Sequence, residues 1–479
     1  MWRAIVCTML LGALLAPASA GKVYVLWTQK ALPQAKILGV NELVIPWSEE
    51  AKELVGTAKR QGYRVYLEAT PEQAAVAAEA GANAGAAGII LKAGASEESL
   101  QEESARKLRS AYSNLKILVL IAKGKQPDMR GWLVFKKDGI LQVSSPTSQP
   151  WLDANLAMIR HERAFQTAQA PLYTFSWDLS DPLVKEYGPS AADYALAVAE
   201  AGAFHADLIL EVHERQQKGL VYGEEEALAD WNQVKRTIEF YERGNHAAEE
   251  AGARVGVLTG DYELSYEALN LMARHNIPFR VLHSVEVQAK DLEEFDVVIA
   301  FAGLGKELTK EVGEFAARGG VAVLVNLPGA YPWDSSAAGK TSVHSVSYTV
   351  GKGRVIELGE AIIDPETFAQ DVRRLMVKER IPVSLWNSLT TLVAAYPGEK
   401  PGETVVELVN YDEESTQVQV QVKGTFASVR YESPEGGCCE KLKATQVDGF
   451  TEFVVPDVVI GGRVHLERAG DARETKTKH

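Results

Sequence analysis

Cysteine is almost missing from this chain of 479 residues, which holds three. Cys7 lies in the first twenty residues, and Cys438 and Cys439 are adjacent in SPEGGCCEK, so no disulfide framework can be built. The adjacent pair can close a vicinal disulfide or stay as two thiols in a Gly-rich turn. With no histidine close by in sequence, it does not read as a zinc site, and no metal is expected. Basic charge is also short: 50 Lys and Arg stand against 64 Asp and Glu, a formal charge of −14. That balance argues against nucleic acid and anionic membranes, whose phosphates need clustered Lys and Arg. Beyond residue 20 no apolar run reaches the roughly 18–20 residues of a bilayer span, so no membrane anchor is expected. Walker, dinucleotide-binding, HExxH and GxSxG patterns are all lacking. GANAGAAG (81–88) precedes a strand and reads as a helix end and turn, and GKGR (351–354) reads as a hairpin turn. No cofactor is therefore expected.

What is present begins with a processing signal. Met1-Trp2-Arg3 gives a positive start, Ala4 to Ala16 is apolar, and Ala18-Ser19-Ala20 fits small-x-small cleavage. Residues 1–20 are expected to be removed, with Gly21 as the mature start and an exported, periplasmic or extracellular protein. No cysteine follows to carry a lipid.

Eight short apolar runs then alternate with helix-like stretches: VYVLW (23–27), LVIPW (43–47), RVYLE (64–68), GIILK (88–92), KILVLIA (116–122), GILQVS (139–144), LYTFSWD (172–178) and DLILEVHE (207–214). Eight such units in about 200–250 residues suit one (β/α)₈ TIM barrel over 21–245, with its site at the C-terminal strand ends. The sixth unit is irregular. GWLVFKKDGILQVS reads as a hairpin turning at Lys137-Asp138-Gly139, followed by the loop SPTSQPW and a helix from Leu152 to Gln169.

A second unit, 246–382, alternates RVGVLTG, PFRVLHS, FDVVIAFAG and VAVLVN with helical stretches, the pattern of a small flavodoxin-like parallel sheet. A third, 383–468, holds TVVELVNY, TQVQVQVKG, ASVRYES, FTEFVVP and RVHLE without helices between them, as in a small antiparallel β-sandwich. Residues 469–479 are polar and charged and read as a disordered tail.

This order of parts resembles the β-galactosidase-type glycoside hydrolases. The residues that carry the likeness are RVGVLTG, DVVIAFAG, RGGVAVLVN, GKGRVIELG and VVELVNY. The resemblance implies a carbohydrate substrate, and a middle domain related to glutamine amidotransferases that often serves homo-oligomerisation. Two departures matter. No cysteine lies between 250 and 380, so the middle domain lacks an amidotransferase nucleophile. The family places Asn-Glu after the fourth strand and Glu after the seventh, whereas here those ends carry Lys92 and Asp178. The family's catalytic pair does not carry over.

Strand parity selects other candidates. In 207–214, Leu208, Leu210 and Val212 suit the outer helices, leaving Asp207, Ile209, Glu211 and His213 for the lumen. By the same rule Thr174, Ser176 and Asp178 face inward, as do Arg64, Tyr66 and Glu68. Glu211 and Asp178, on neighbouring strands, are the expected catalytic carboxylates, one protonated and one ionised. Glu68 and His213 are expected to support substrate. Trp47 and Trp151, near strand ends, offer faces on which sugar rings stack. The alternatives are structural: the acids pair with Lys92, Arg64 or Arg160, or hold a cation, and the indoles pack between strands and helices. Arg160 and His161 are expected to be solvated or bound to a loop carbonyl. The leading function is carbohydrate hydrolysis; a non-catalytic carbohydrate-binding protein or an assembly protein on the same scaffold is the alternative.

Overall fold

The computed structural model describes residues 21–468 apart from 95–96, 131–134, 138–139, 143–150, 166–168, 176–181, 245, 285–286, 302, 336–337 and 341–344. The first unit is a parallel barrel of β1 (Val23–Leu26), β2 (Glu42–Pro46), β3 (Arg64–Ala69), β4 (Gly88–Leu91), β5 (Lys116–Val119), β6 (Leu172–Thr174) and β7 (Asp207–Glu211), in the sheet order β6-β7-β1-β2-β3-β4-β5. The ring closes where Ile121, just past β5, bridges Tyr173 of β6, and the Ile121 N–H donates to the Leu172 carbonyl at 2.8 Å.

The class is the one expected, but the described barrel has seven strands rather than eight. The sixth run does not enter it. Ile140–Gln142 pairs antiparallel with Phe135–Lys137, and Asp128–Arg130 pairs antiparallel with Trp151–Asp153. The ring already closes from Ile121 to Tyr173, which leaves this run no place as a stave. The Asp-Gly turn signal therefore outweighed the apolar run. The following helix is Leu156–Phe165, shorter than the stretch expected from Leu152.

Period-two patterning divides the barrel residues cleanly. Tyr24, Val44, Tyr66, Ile90, Leu118, Leu120, Leu172 and Ile209 form a separate buried cluster that fills the lumen. Their strand neighbours, such as Val25, Leu43, Leu67, Ile89, Tyr173, Leu208 and Leu210, join the core beneath the outer helices. The N-terminal end of the lumen is polar. Arg64 pairs with Glu42 at 3.3 Å, and the Lys22 N–H donates to Asp207 Oδ1 at 2.8 Å. No helix among the described residues is long and apolar enough to cross a membrane.

The second unit is a seven-stranded sheet of β8 (Val255–Thr259), β9 (Phe279–His283), β10 (Val297–Ala300), β11 (Val321–Val325), β12 (Ala338–Lys340), β13 (Ser345–Val350) and β14 (Gly353–Leu358). Its order is β9-β8-β10-β11-β14-β13-β12, parallel as far as β14 and antiparallel beyond. The third unit packs a four-stranded and a five-stranded antiparallel sheet around Val406, Leu408, Val418, Val420, Phe453 and Val464. Buried polar groups tie the units together. Glu200, on a barrel helix, is fully buried and accepts hydrogen bonds from Asn155, Tyr173 and Tyr411, the last from the sandwich.

Candidate active site

The C-terminal mouth of the barrel is built by three strands. Along β3 the lumen positions are Arg64 at the floor, Tyr66 in the middle and Glu68 at the top; along β7 they are Asp207, Ile209 and Glu211. Lys92 follows β4, and its N–H continues the ladder to the Ala69 carbonyl at 2.9 Å. Its ammonium lies 3.4 Å from Glu68 and 3.9 Å from Glu211. The side chain of Glu68 is 12% exposed and that of Glu211 is 30% exposed. The two carboxylates therefore converge on one cation.

Burial raises the Glu68 pKa above the usual carboxylate range; Lys92 opposes the rise and the Glu211 charge adds to it. A carboxyl that resists ionisation suits proton donation, and a second carboxylate across the mouth suits attack on carbon or activation of water.

The remaining candidates are placed differently. Asp178, like Trp177, lies outside the described residues. His213 stands past the end of β7 as the N-cap of the helix Glu214–Tyr222, where its ring nitrogen accepts from the Arg215 N–H at 3.3 Å. Its own N–H donates to the Tyr194 hydroxyl at 2.9 Å. Trp47 is joined to the mouth by its backbone, whose N–H donates to the Glu68 carbonyl at 2.8 Å. Its half-buried ring lines a cleft of about 540 Å³ with Trp27, Gln29, Pro46 and Leu54, and the Lys52 ammonium stands 5.6 Å from its centre. Trp151 is in the antiparallel ribbon, opposite Arg130 and 5.9 Å from the Arg274 guanidinium of the second unit. It is not part of the group around Lys92.

Arg160 and His161 are buried rather than solvated. Arg160 makes a two-pronged pair with Glu250 at 2.8 and 2.6 Å, and also reaches the Ile277 carbonyl at 3.3 Å. His161 Nδ1 is 3.1 Å from Glu162, and its Nε2 has no partner among the described residues. It lines a cavity of about 490 Å³ between β5 and the end of β8, with Lys123, Glu162, Asp261 and Tyr262. Sequence reasoning missed this cavity. Its walls come from two units, and only the charged run His161-Glu162 hinted at it.

No protein-family model matches the chain, and no curated protein matches it in sequence. Solved structures do match. The chain is similar to α-L-fucosidase isoenzyme 2 from Paenibacillus thiaminolyticus, at 11% identity and a TM-score of 0.60, covering 94% of this chain and all of that one. It is also matched to a catalytic mutant of a GH42 β-galactosidase from G. stearothermophilus, at 11% identity and a TM-score of 0.47, covering 95% and 99%. The first match carries the comparison, and it concerns the fold. The chain shares the fold of that solved structure, a parallel barrel followed by further sheets, as the order of its parts led us to expect.

Proposed function

We propose that this is an exported glycoside hydrolase-like protein that acts on a carbohydrate through carboxylates at the top of the barrel. The observation that supports it is the approach of Glu68 and Glu211 to the single ammonium of Lys92, at the end of the barrel where this fold performs chemistry. Glu68, with its raised pKa, is the acid that protonates the leaving oxygen. Glu211 is the nucleophile or base, and Asp178, four residues beyond β6 in sequence, remains its candidate partner. A carboxylate separation of about 5–5.5 Å in the sugar complex gives retention, and about 6.5–9.5 Å gives inversion. Trp47 supplies a stacking face beside the mouth, and the middle unit serves self-association.

A panel of aryl glycosides tests this with wild type, Glu211→Gln, Glu68→Gln and Asp178→Asn. The Glu211 substitution should remove most turnover while the fold persists. Loss in Glu68→Gln assigns the acid to β3, and loss in Asp178→Asn instead assigns it to Asp178. Equal activity in all four proteins would refute the reading. One observation favours the second reading, a non-catalytic carbohydrate-binding protein: Lys92 holds both acids in ion pairs, which suits hydroxyl recognition without proton transfer. Oligosaccharide binding by a wild type that turns over no glycoside would establish that alternative. Export is checked by the N-terminal residue of the secreted protein, expected to be Gly21, and self-association by light scattering.

A further inference from the structure

A regular β-strand sends successive side chains to opposite faces, so adjacent cysteines on one should not share a target. The strand Gly437–Lys441 is not regular. It forms the edge of the five-stranded sheet of the sandwich and pairs antiparallel with Ser428–Ser433. Tyr431 stands opposite Glu440 and Ser433 opposite Gly437, with a register shift between them. One residue, Glu432, therefore faces two, Cys438 and Cys439. That two-against-one count is a β-bulge, a device that re-aims side chains at sheet edges. Here it gathers both sulfurs and a Glu432 carboxylate oxygen within 4.8 Å of one another. Both cysteines are exposed and Glu432 is half-buried.

The carboxylate is also held in place. Glu432 Oε1 lies 3.1 Å from His465 Nε2 and accepts from Arg463 Nη1 at 3.3 Å. Metal-binding carboxylates are supported in this way by hydrogen bonds behind them. The sulfurs are joined as a disulfide, so they are free to bind only after reduction.

We propose that the reduced bulge is a redox-gated site for one thiophilic divalent cation of the zinc class, bound by the Cys438 and Cys439 thiolates and the Glu432 carboxylate. A dithiol reductant breaks the S–S bond by exchange, passing two electrons and two protons to the cysteines and closing its own disulfide. The cation then displaces both thiol protons to solvent as two metal–sulfur bonds form. Zinc–sulfur bonds of about 2.3 Å at tetrahedral angles separate two sulfurs by roughly 3.8 Å, so the reduced sulfurs must move apart to take the ion. Three protein ligands leave a fourth position for water. Two thiolates select a soft or borderline ion over magnesium or calcium.

The test uses the full chain, reduced with a phosphine and then desalted without oxygen. Co²⁺ is titrated in as a spectroscopic probe, and Zn²⁺ affinity is read by competition with a chromophoric chelator. Reduced wild type should bind one equivalent and show a sulfur-to-cobalt charge-transfer band, and the oxidised protein should show none. The Cys438→Ser/Cys439→Ser protein should lose the band under both conditions. Glu432→Gln should keep the band and bind Zn²⁺ at least ~10-fold more weakly. A reduced wild type without the band, or with the Zn²⁺ affinity of the double-serine protein, would overturn the site. Unchanged Zn²⁺ affinity in Glu432→Gln would overturn the three-ligand assignment.

Discussion

Replacing Glu407 by glutamine isolates the charge that ties the sandwich to the barrel. Glu407 is fully buried on the strand Glu403–Asn410. Its Oε1 accepts from Arg463 Nε at 2.5 Å and lies 2.7 Å from His246 Nε2, and His246 in turn lies 2.9 Å from His205. Glutamine keeps the size and one acceptor but removes the charge. The Arg463 side chain, 4% exposed, would retain Glu432 at 3.3 Å as its remaining ion-pair partner. Breaking one side of a buried pair costs about 3–5 kcal/mol, and a domain has only about 5–15 kcal/mol in total. Because the amide can still turn its oxygen toward Arg463, the expected loss is at the low end, about 3 kcal/mol. At about 4–8 °C per kcal/mol for a unit of 60–100 residues, the melting temperature of the sandwich should fall by roughly 12–24 °C at pH 7. The pH dependence gives a second check. Burial opposes ionisation of Glu407, but Arg463 and His246 outweigh it and hold its carboxyl below the usual range. A depressed pKa contributes stability that is present above the unfolded value of about 4.3 and is lost as pH falls through the folded value. The gap between wild type and variant should therefore close in acid. Thermal unfolding followed by circular dichroism decides both points. A variant that melts within about 2 °C of wild type at pH 7, or a gap that persists unchanged into strong acid, would refute the reasoning.

Three further outcomes are expected. Burial raises the Asp207 carboxyl to about 6, so the folded state gains stability below the unfolded pKa and loses it as pH rises through 6. Asp207→Asn, which keeps an acceptor for the Lys22 N–H, should flatten that slope and gain on the order of 2–3 kcal/mol at pH 7. Urea midpoints at pH 4, 6 and 8 test this, and parallel slopes for the two proteins would sink it. Tyr411→Phe removes a 2.8 Å hydrogen bond to buried Glu200 and should cost about 1.5–3 kcal/mol in urea unfolding; an unchanged midpoint would contradict the role given to that bond. Lys92→Met removes the group that lowers the Glu68 pKa, so the basic limb of the pH–rate profile should move to higher pH if Glu68 is the acid. A limb that stays in place, or moves lower, would exclude Glu68 from that role.

Several features were legible because they depend on neighbours in the chain. Side-chain alternation has a period of two on any strand, so DLILEVHE alone placed Ile209 and Glu211 on the lumen face and Leu208 and Leu210 behind it. The same rule placed Tyr66 and Glu68. It does not extend to His213, because β7 ends at Glu211 and parity has no meaning beyond a strand. It also carried no information about whether GILQVS would join the barrel, since an apolar run fits a hairpin as well as a stave. Arg160 shows a different limit. Its charge suggested water or a loop carbonyl; it does reach the Ile277 carbonyl, but it is Glu250, ninety residues later, that supplies the opposite charge that makes burial tolerable.

The amino-acid sequence by itself determined the succession of units, the face on which each barrel side chain stands and the lack of a cysteine nucleophile in the middle unit. These are local or compositional properties, set by backbone geometry and residue type. Tertiary structure alone decided which groups meet. Lys92 reaches two acids because β4 lies in one closed ring with β3 and β7. The His161 cavity exists because a barrel helix packs against the second unit. Glu432 faces two cysteines because a hairpin slipped by one residue. Each contact joins residues from different strands or units, and its energy depends on distance and burial that only the folded chain defines.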